Sequence, residues 1–360
     1  MNRETSLYLD FVRFSAAMVV MVGHLSGERF TGGLLWHFGK FMDDAVIVFF
    51  VLSGFVIAFV VNHKDVDLKG YAIARAARVY SVAIPALLIT FTLDALGRHY
   101  APELYTSSWG YHADNQTGQF LAGLFFVNQL WYAEIPTGSM LPYWSLGFEV
   151  WYYFFFAVIY FVRSSWKIPI LFIACAAAGP RIVAFFPLWM MGYGAYHFAA
   201  SNKPSRMLGC ALLLSSLIAY AAYCLLFKDW LLTNQLLPAS YGLPNFVPRY
   251  LVGTLFAAHL IGFVWASTLF GPVMQPFQRA IRWLAGATFT IYLFHIPVAQ
   301  FLTTVLPWGP TDWRTRLVIF AGTFILMLLI AEFTERKKNV WHRWITNMSS
   351  LLKSRLWRPA

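Results

Sequence analysis

Residues 10–24 read Asp10-Phe-Val-Arg13-Phe-Ser-Ala-Ala-Met-Val-Val-Met-Val-Gly-His24, an apolar stretch of membrane-crossing character that nevertheless carries an arginine and a histidine. As a helix, eleven steps of about 100° complete three turns with roughly 20° left over, which places Arg13 and His24 on one face about 16 Å apart. Ionisable side chains within the hydrocarbon cost at least about 2.5 kcal/mol each on insertion scales, so the default reading of this polar face is a site or a pathway. The stretch follows a short polar N-terminus without a small-residue cleavage site, so we expect a retained anchor rather than a removed signal peptide.

The rest of the chain has the same solvent in view. It is 59% hydrophobic and only 12% charged, with a mean hydropathy of +0.58, whereas a soluble domain is about 25% charged. An all-α polytopic membrane protein is expected. Apolar runs bounded by charges or Pro/Gly suggest ten crossings, at 9–27, 44–62, 79–97, 140–162, 168–180, 182–199, 207–227, 250–270, 283–306 and 317–333. The fifth and sixth are short and meet at Gly179-Pro180, so a re-entrant hairpin is the alternative there. Residues 1–335 form the membrane domain, with Arg75 and Arg78 ending an inner loop, and 336–360 a basic tail.

Charge sets the orientation. With both termini in the cytoplasm, 18 lysines and arginines, Lys64, Lys203 and the seven tail cations among them, fall inside and 8 outside, which satisfies the positive-inside rule. The net charge of +11 thus reflects topology and excludes a nucleic-acid partner. The tail, with Trp341, Trp344, Leu351, Leu352 and Trp357 among its cations, reads as an interfacial helix on anionic lipid. Outside, residues 98–139 and 228–248 are long enough to bind something, and part of the first, Phe120 to Leu130, could dip into the interface. Trp109, Tyr111, Trp131, Tyr132 and Tyr241 could stack on sugars or simply belt the bilayer boundary. Cys175, Cys210 and Cys224 lie in apolar segments without metal-ligand spacing and read as buried structural thiols; no metal site is expected.

Two further ionisable groups sit deep in apolar runs, Glu149 and His295. By helical rise His24, Glu149 and His295 could meet in an outward-opening cavity, with Glu149 fixing the tautomer of His24 or holding an acceptor. A neutral imidazole, of ordinary pKa about 6.5, is matched to taking a hydroxyl proton at pH 7. Arg13, Arg75 and Arg78 lie nearer the inner side, and arginines three apart share a helical face that can hold phosphate oxygens. Ser145, four residues before Glu149, could bond to it or to substrate. Ser53 and Gly54 read as permitting close helix approach, or as lining a channel. His37, His63, His99, His112, His197, His259 and His342 have no such support, although His112 lies on the acceptor side.

Taken together, Leu9-Asp10-Phe-Val-Arg13-Phe-Ser-Ala-Ala17 with its spacing to His24, Phe49-Phe-Val-Leu-Ser53-Gly54-Phe55, Arg75-Ala-Ala-Arg78, Trp144-Ser145-Leu146 followed by Glu149, and Tyr292-Leu-Phe-His295-Ile-Pro297 resemble the motif series of the acyltransferase-3 membrane family over about residues 7–335. The resemblance implies a bundle of about ten helices that transfers an acyl group, usually acetyl from acetyl-CoA, to a carbohydrate hydroxyl. It implies that His24 is the catalytic histidine, Arg13 its motif partner, Arg75 and Arg78 the acyl-CoA-side arginines, and Glu149 a residue of the active cavity. Pro85 stands later after Arg78 than the family pattern has it, and the resemblance is to the family's stand-alone branch, for which no appended hydrolase-like domain is expected.

The expectation is therefore an O-acyltransferase of the bacterial inner membrane, with catalytic His24, Arg13 and Glu149, acyl-CoA at Arg75, Arg78 and Arg13, and cavity or acceptor contacts from His295, Ser145, Trp144, Ser53 and Tyr292. Acetyl-CoA is a donor substrate rather than a bound cofactor, and the acceptor is a surface or exported glycan, with membrane lipid and glycan-export machinery as partners. A small-molecule or lipid-linked acceptor, and a transporter using the same polar residues as a relay, are the alternatives.

Overall fold

The computed structural model describes residues 2–63, 66–202, 204–234 and 246–356, with side chains described as far as Ser350. Lys64, Lys203, Tyr241 and Trp357 lie outside the described residues, as do the side chains of Leu351 and Leu352. The described residues contain helices and no strand, as a chain in lipid requires when every backbone N–H and C=O must be paired within its own segment. The long helices are α1 Arg3–Leu25, α2 Met42–His63, α3 Leu68–Tyr100, α5 Trp144–Phe161, α7 Pro180–Ser201, α8 Arg206–Ala222, α9 Phe246–Ala266 and α11 Thr288–Val305. Shorter ones are α4 Gln116–Leu124, α6 Lys167–Ala178, α10 Gln278–Ala285 and α12 Thr323–Phe333, and the chain closes with α13 Lys338–Leu356.

Eight helical segments, several of them combining adjacent helices, are long and apolar enough to span a membrane, and α6 with α7 makes a ninth candidate bent by 118°. This is a multi-pass membrane protein. The bend has a local cause: Gly179 holds φ +86, a left-handed value that glycine accepts without strain, and Pro180 starts α7 where its missing N–H is no loss. Trp131 N–H donates to the Ala178 carbonyl at 2.9 Å and docks the corner on the 125–143 loop. Of the two readings of 168–199, α6 with 12 residues is too short to cross on its own, so one bent pair stands where two crossings were expected.

A second difference concerns α3. The hydropathy run begins at 79, but the helix begins at Leu68, where the Asp67 carboxylate caps it by accepting from Gly70 N–H at 2.8 Å. Arg75 and Arg78 are therefore inside a 33-residue helix and not at the end of a loop, and Pro85 is accommodated within it.

Helices α2 and α11 are the innermost, each about two-thirds buried over its apolar window, while α8 is 17% buried and faces outward. Helix α11 packs on α1, α3 and α12, and α2 packs on α1, α7 and α9. The crossing of α2 and α7 is held close by Gly54 and Gly192: a methyl group on either would strike the partner helix backbone, at Trp189 O and Val51 O respectively. Asp10 reaches Arg282 of α10, Arg336 reaches the Trp283 carbonyl, and α13 packs along α3. The start of α1 and the closing helix α13 thus lie at one end of the bundle, with Arg75 and Arg78, and the 101–143 segment lies at the other.

Candidate active site

Helices α1 and α11 cross so that His24 and His295 touch, Nδ1 to Nε2 at 3.1 Å. A carbonyl oxygen only accepts, and this fixes both rings. His295 Nδ1–H donates to Ile291 O at 2.8 Å, leaving Nε2 with a lone pair, and His24 Nδ1–H donates to Val20 O at 3.0 Å and to that lone pair. His24 Nε2 carries the remaining lone pair and has no partner among the described residues. His295 is 0% exposed and His24 half-buried, so the inner ring orients the outer one.

One helical turn at a time along α11, His295 is followed toward the basic end by Tyr292 and then Phe289, both lining a cavity of about 130 Å³. Arg13, Ser53, Arg75, Arg78 and Glu149 line the same cavity. Its size is below the 300–1,000 Å³ of a typical whole-ligand pocket, and suits one end of a long, thin molecule. The Arg75 guanidinium stands 5.6 Å from the Tyr153 ring and that of Arg78 4.7 Å from Phe289. Arg13 sits 3.9 Å from Asp10. Three guanidinium groups on α1 and α3 therefore face one cavity, two of them steadied by aromatic faces.

Glu149 is placed differently from the expected meeting of three residues. Its carboxylate accepts from Ser53 Oγ at 2.7 Å and from Tyr153 Oη at 2.5 Å, and it lies in the arginine cavity rather than against His24. The residue that orients His24 is His295. Ser145 Oγ bonds to Tyr292 Oη at 2.7 Å and not to Glu149, joining α5 to α11 at the top of the cavity. Ser53 faces the site while its neighbour Gly54 makes the α2–α7 crossing, so the two roles weighed for that pair are divided between them. Trp144 lines a separate pocket on the far side of Phe50, with ring centroids 6.5 Å apart.

Two contributors were absent from the sequence reading. Tyr153, four residues after Glu149 on the same face, was findable by that spacing. Glu335 was hidden at the edge of the basic tail. It is 5% exposed, accepts from the N–H groups of Phe289 and Thr290 at 2.8 and 3.2 Å, and interacts electrostatically with Arg78 and Arg13. It caps α11 and balances the arginines at once. The signal was a lone carboxylate in Glu335-Arg-Lys-Lys338. Among the described residues no group of three or more His, Cys, Asp or Glu is arranged to hold a metal ion.

A family model described as an acyltransferase domain matches residues 6–332. The chain belongs to the acyltransferase-3 family. Relatives include the peptidoglycan O-acetyltransferase OatA of Listeria monocytogenes, 22% identical over 91% of this chain and 54% of its own length. The acyltransferase MdmB of Streptomyces mycarofaciens is 26% identical over 81% of this chain and 79% of its own. The exopolysaccharide production protein ExoZ of Rhizobium meliloti is 30% identical over 41% of this chain and 44% of its own. The chain spans about half the length of the peptidoglycan O-acetyltransferase it matches. No solved structure matches it.

Proposed function

We propose that this acyltransferase-3 chain is an O-acetyltransferase that moves acetyl from acetyl-CoA to a hydroxyl of a surface or exported glycan. The observation that carries the reading is the His24 ring, turned by Val20 O and His295 so that Nε2 presents a lone pair, above a cavity with three arginines. The cavity holds the acetyl-thioester end, and Arg75, Arg78 and Arg13 draw the phosphate-bearing remainder to the basic end. The names of OatA and ExoZ support a glycan as the acceptor. The chain sits in the bacterial inner membrane with its basic end in the cytoplasm, where acetyl-CoA is made, as the charge asymmetry indicates.

In the transfer, the acceptor hydroxyl gives its proton to His24 Nε2 as its oxygen bonds to the acyl carbon. The C–S bond breaks, and the sulfur takes the proton from Nε2. His24 Nδ1–H remains on His295 throughout, so the ring does not turn. The same lone pair would serve an acyl-histidine route, in which radiolabelled acetyl accumulates on the protein without acceptor.

The test compares O-acetyl content of surface and exported glycans from cells carrying wild type, His24→Ala or no copy, at matched membrane levels. Acetyl esters should appear with wild type and vanish with His24→Ala. Identical glycans from wild type and His24→Ala would overturn the reading.

A further inference from the structure

A second pocket, of about 440 Å³, opens at the end of the bundle opposite the arginines. It is stacked on the cavity along two helices: α2 gives Asp43 to the pocket and Val46 and Ser53 to the cavity, and α5 gives Trp144 and Phe148 to the pocket and Ser145 and Glu149 to the cavity. Aromatic rings of both linings pack together where they adjoin, with Trp144 and Phe148 centroids 5.3 Å apart and Phe148 6.4 Å from Phe50.

Two of its wall residues, Asn128 and Gln129, are carboxamides. Asn128 is 1% exposed and Gln129 6%, and no side-chain hydrogen bond of either occurs among the described residues. This leaves Asn128 Oδ1 buried and unmet, where most buried polar groups find a partner and an unmet one costs about 1–3 kcal/mol. Gln119 nearby shows the ordinary case, donating to His112 O and Asp114 O and accepting from Gly138 N–H. The charges of the pocket are balanced, Arg181 against Glu134 at 2.7 Å and Arg249 against Asp43 at 2.8 Å.

We infer that this pocket binds the acceptor as a neutral pyranose, with Asn128 and Gln129 hydrogen-bonding its hydroxyls and Trp144 packing on its ring face. A carboxamide both donates and accepts, which is what a sugar hydroxyl offers in return, and the volume falls within the range of small-ligand sites. A uronate would bring a carboxylate to a wall whose cations already face carboxylates. The inference rests on the acetyltransferase reading and adds where, and by what chemistry, the acceptor is held.

The test joins glycan O-acetyl content in cells to acetyl-CoA affinity of the purified full chain, for wild type, Asn128→Ala, Gln129→Ala and the double variant. Each single variant should lower O-acetyl content about tenfold, corresponding to one lost hydrogen bond, and the double variant further, with acetyl-CoA affinity within twofold of wild type. The ester should map by NMR to a neutral pyranose. Wild-type acetylation by the double variant, loss of acetyl-CoA binding in step with transfer, or an ester confined to a uronic acid would each overturn the inference. A wild-type chain that acetylates no glycan would instead overturn the acetyltransferase reading and the pocket's role with it.

Discussion

With its Nδ1–H committed to Val20 O and His295, His24 offers Nε2 as the one ring nitrogen able to take a proton, and the two histidines are therefore unequal. Replacing His24 by Ala removes the base itself, a loss of about 10²–10⁴ in kcat. His295→Ala leaves Val20 O in place to hold the tautomer, so we expect a smaller loss, about tenfold, with KM for acetyl-CoA unchanged because neither ring lines the arginine cavity. Steady-state kinetics of the reconstituted protein check both; equal losses would mean that His295 does more than orient its neighbour. Glu149 gives a second contrast. Glu149→Gln keeps an acceptor oxygen for Ser53 and Tyr153, whereas Glu149→Ala leaves Ser53 only its 3.2 Å bond to Tyr153 Oη and leaves the Tyr153 O–H unmet at a cost of about 1–3 kcal/mol, so only the alanine variant should lower the thermal midpoint markedly. Arg13, His24, Glu149 and His295 were legible because charge in an apolar run is costly. The pairing was not: His24–His295 and Ser53–Glu149 are contacts 271 and 96 residues apart, set by how helices cross.

Helix crossings are decided by small side chains, and here the contrast lies within one helix. On α7, Gly192 touches the backbone of α2, while a methyl group on Gly194 would meet nothing within 4 Å. Gly192→Ala must push the helices apart or fail to fold, a cost of about 1–3 kcal/mol typical of overpacking, and Gly194→Ala should be neutral or slightly stabilising through helix propensity. Thermal midpoints in detergent, with folded yield, decide this; equal midpoints would show that the α2–α7 approach is looser than described. Elements as such were largely legible from hydropathy. Where they were not, a polar device extended a helix past its apolar run, as Asp67 does in starting α3 at Leu68 so that Arg75 and Arg78 ride on a rigid helix. The Gly179-Pro180 break was visible as residue chemistry, but its 118° angle and the docking of the corner on Trp131 were not.

For the whole molecule, the proposed transfer requires that the arginine cavity and the carboxamide pocket face opposite sides of the membrane, since on that reading donor and acceptor arrive from different compartments. The charge asymmetry predicts which side is which, and the structure supplies reporters at each end. Ser107 is exposed at the end with the 101–143 segment, and Asn347 is exposed on α13, which packs on α3 at the basic end. With Cys175, Cys210 and Cys224 replaced by serine, a membrane-impermeant maleimide should label Ser107→Cys on intact spheroplasts and Asn347→Cys only after permeabilisation. Protection of Asn347→Cys by acetyl-CoA is not expected, because it lies about nine residues beyond Lys338, or roughly 13 Å along α13. The reverse labelling pattern would put the arginines outside, away from the cytoplasmic pool of acetyl-CoA. It would thereby remove the physical reason for a two-ended enzyme, since an arginine cavity facing away from the donor has nothing to draw in.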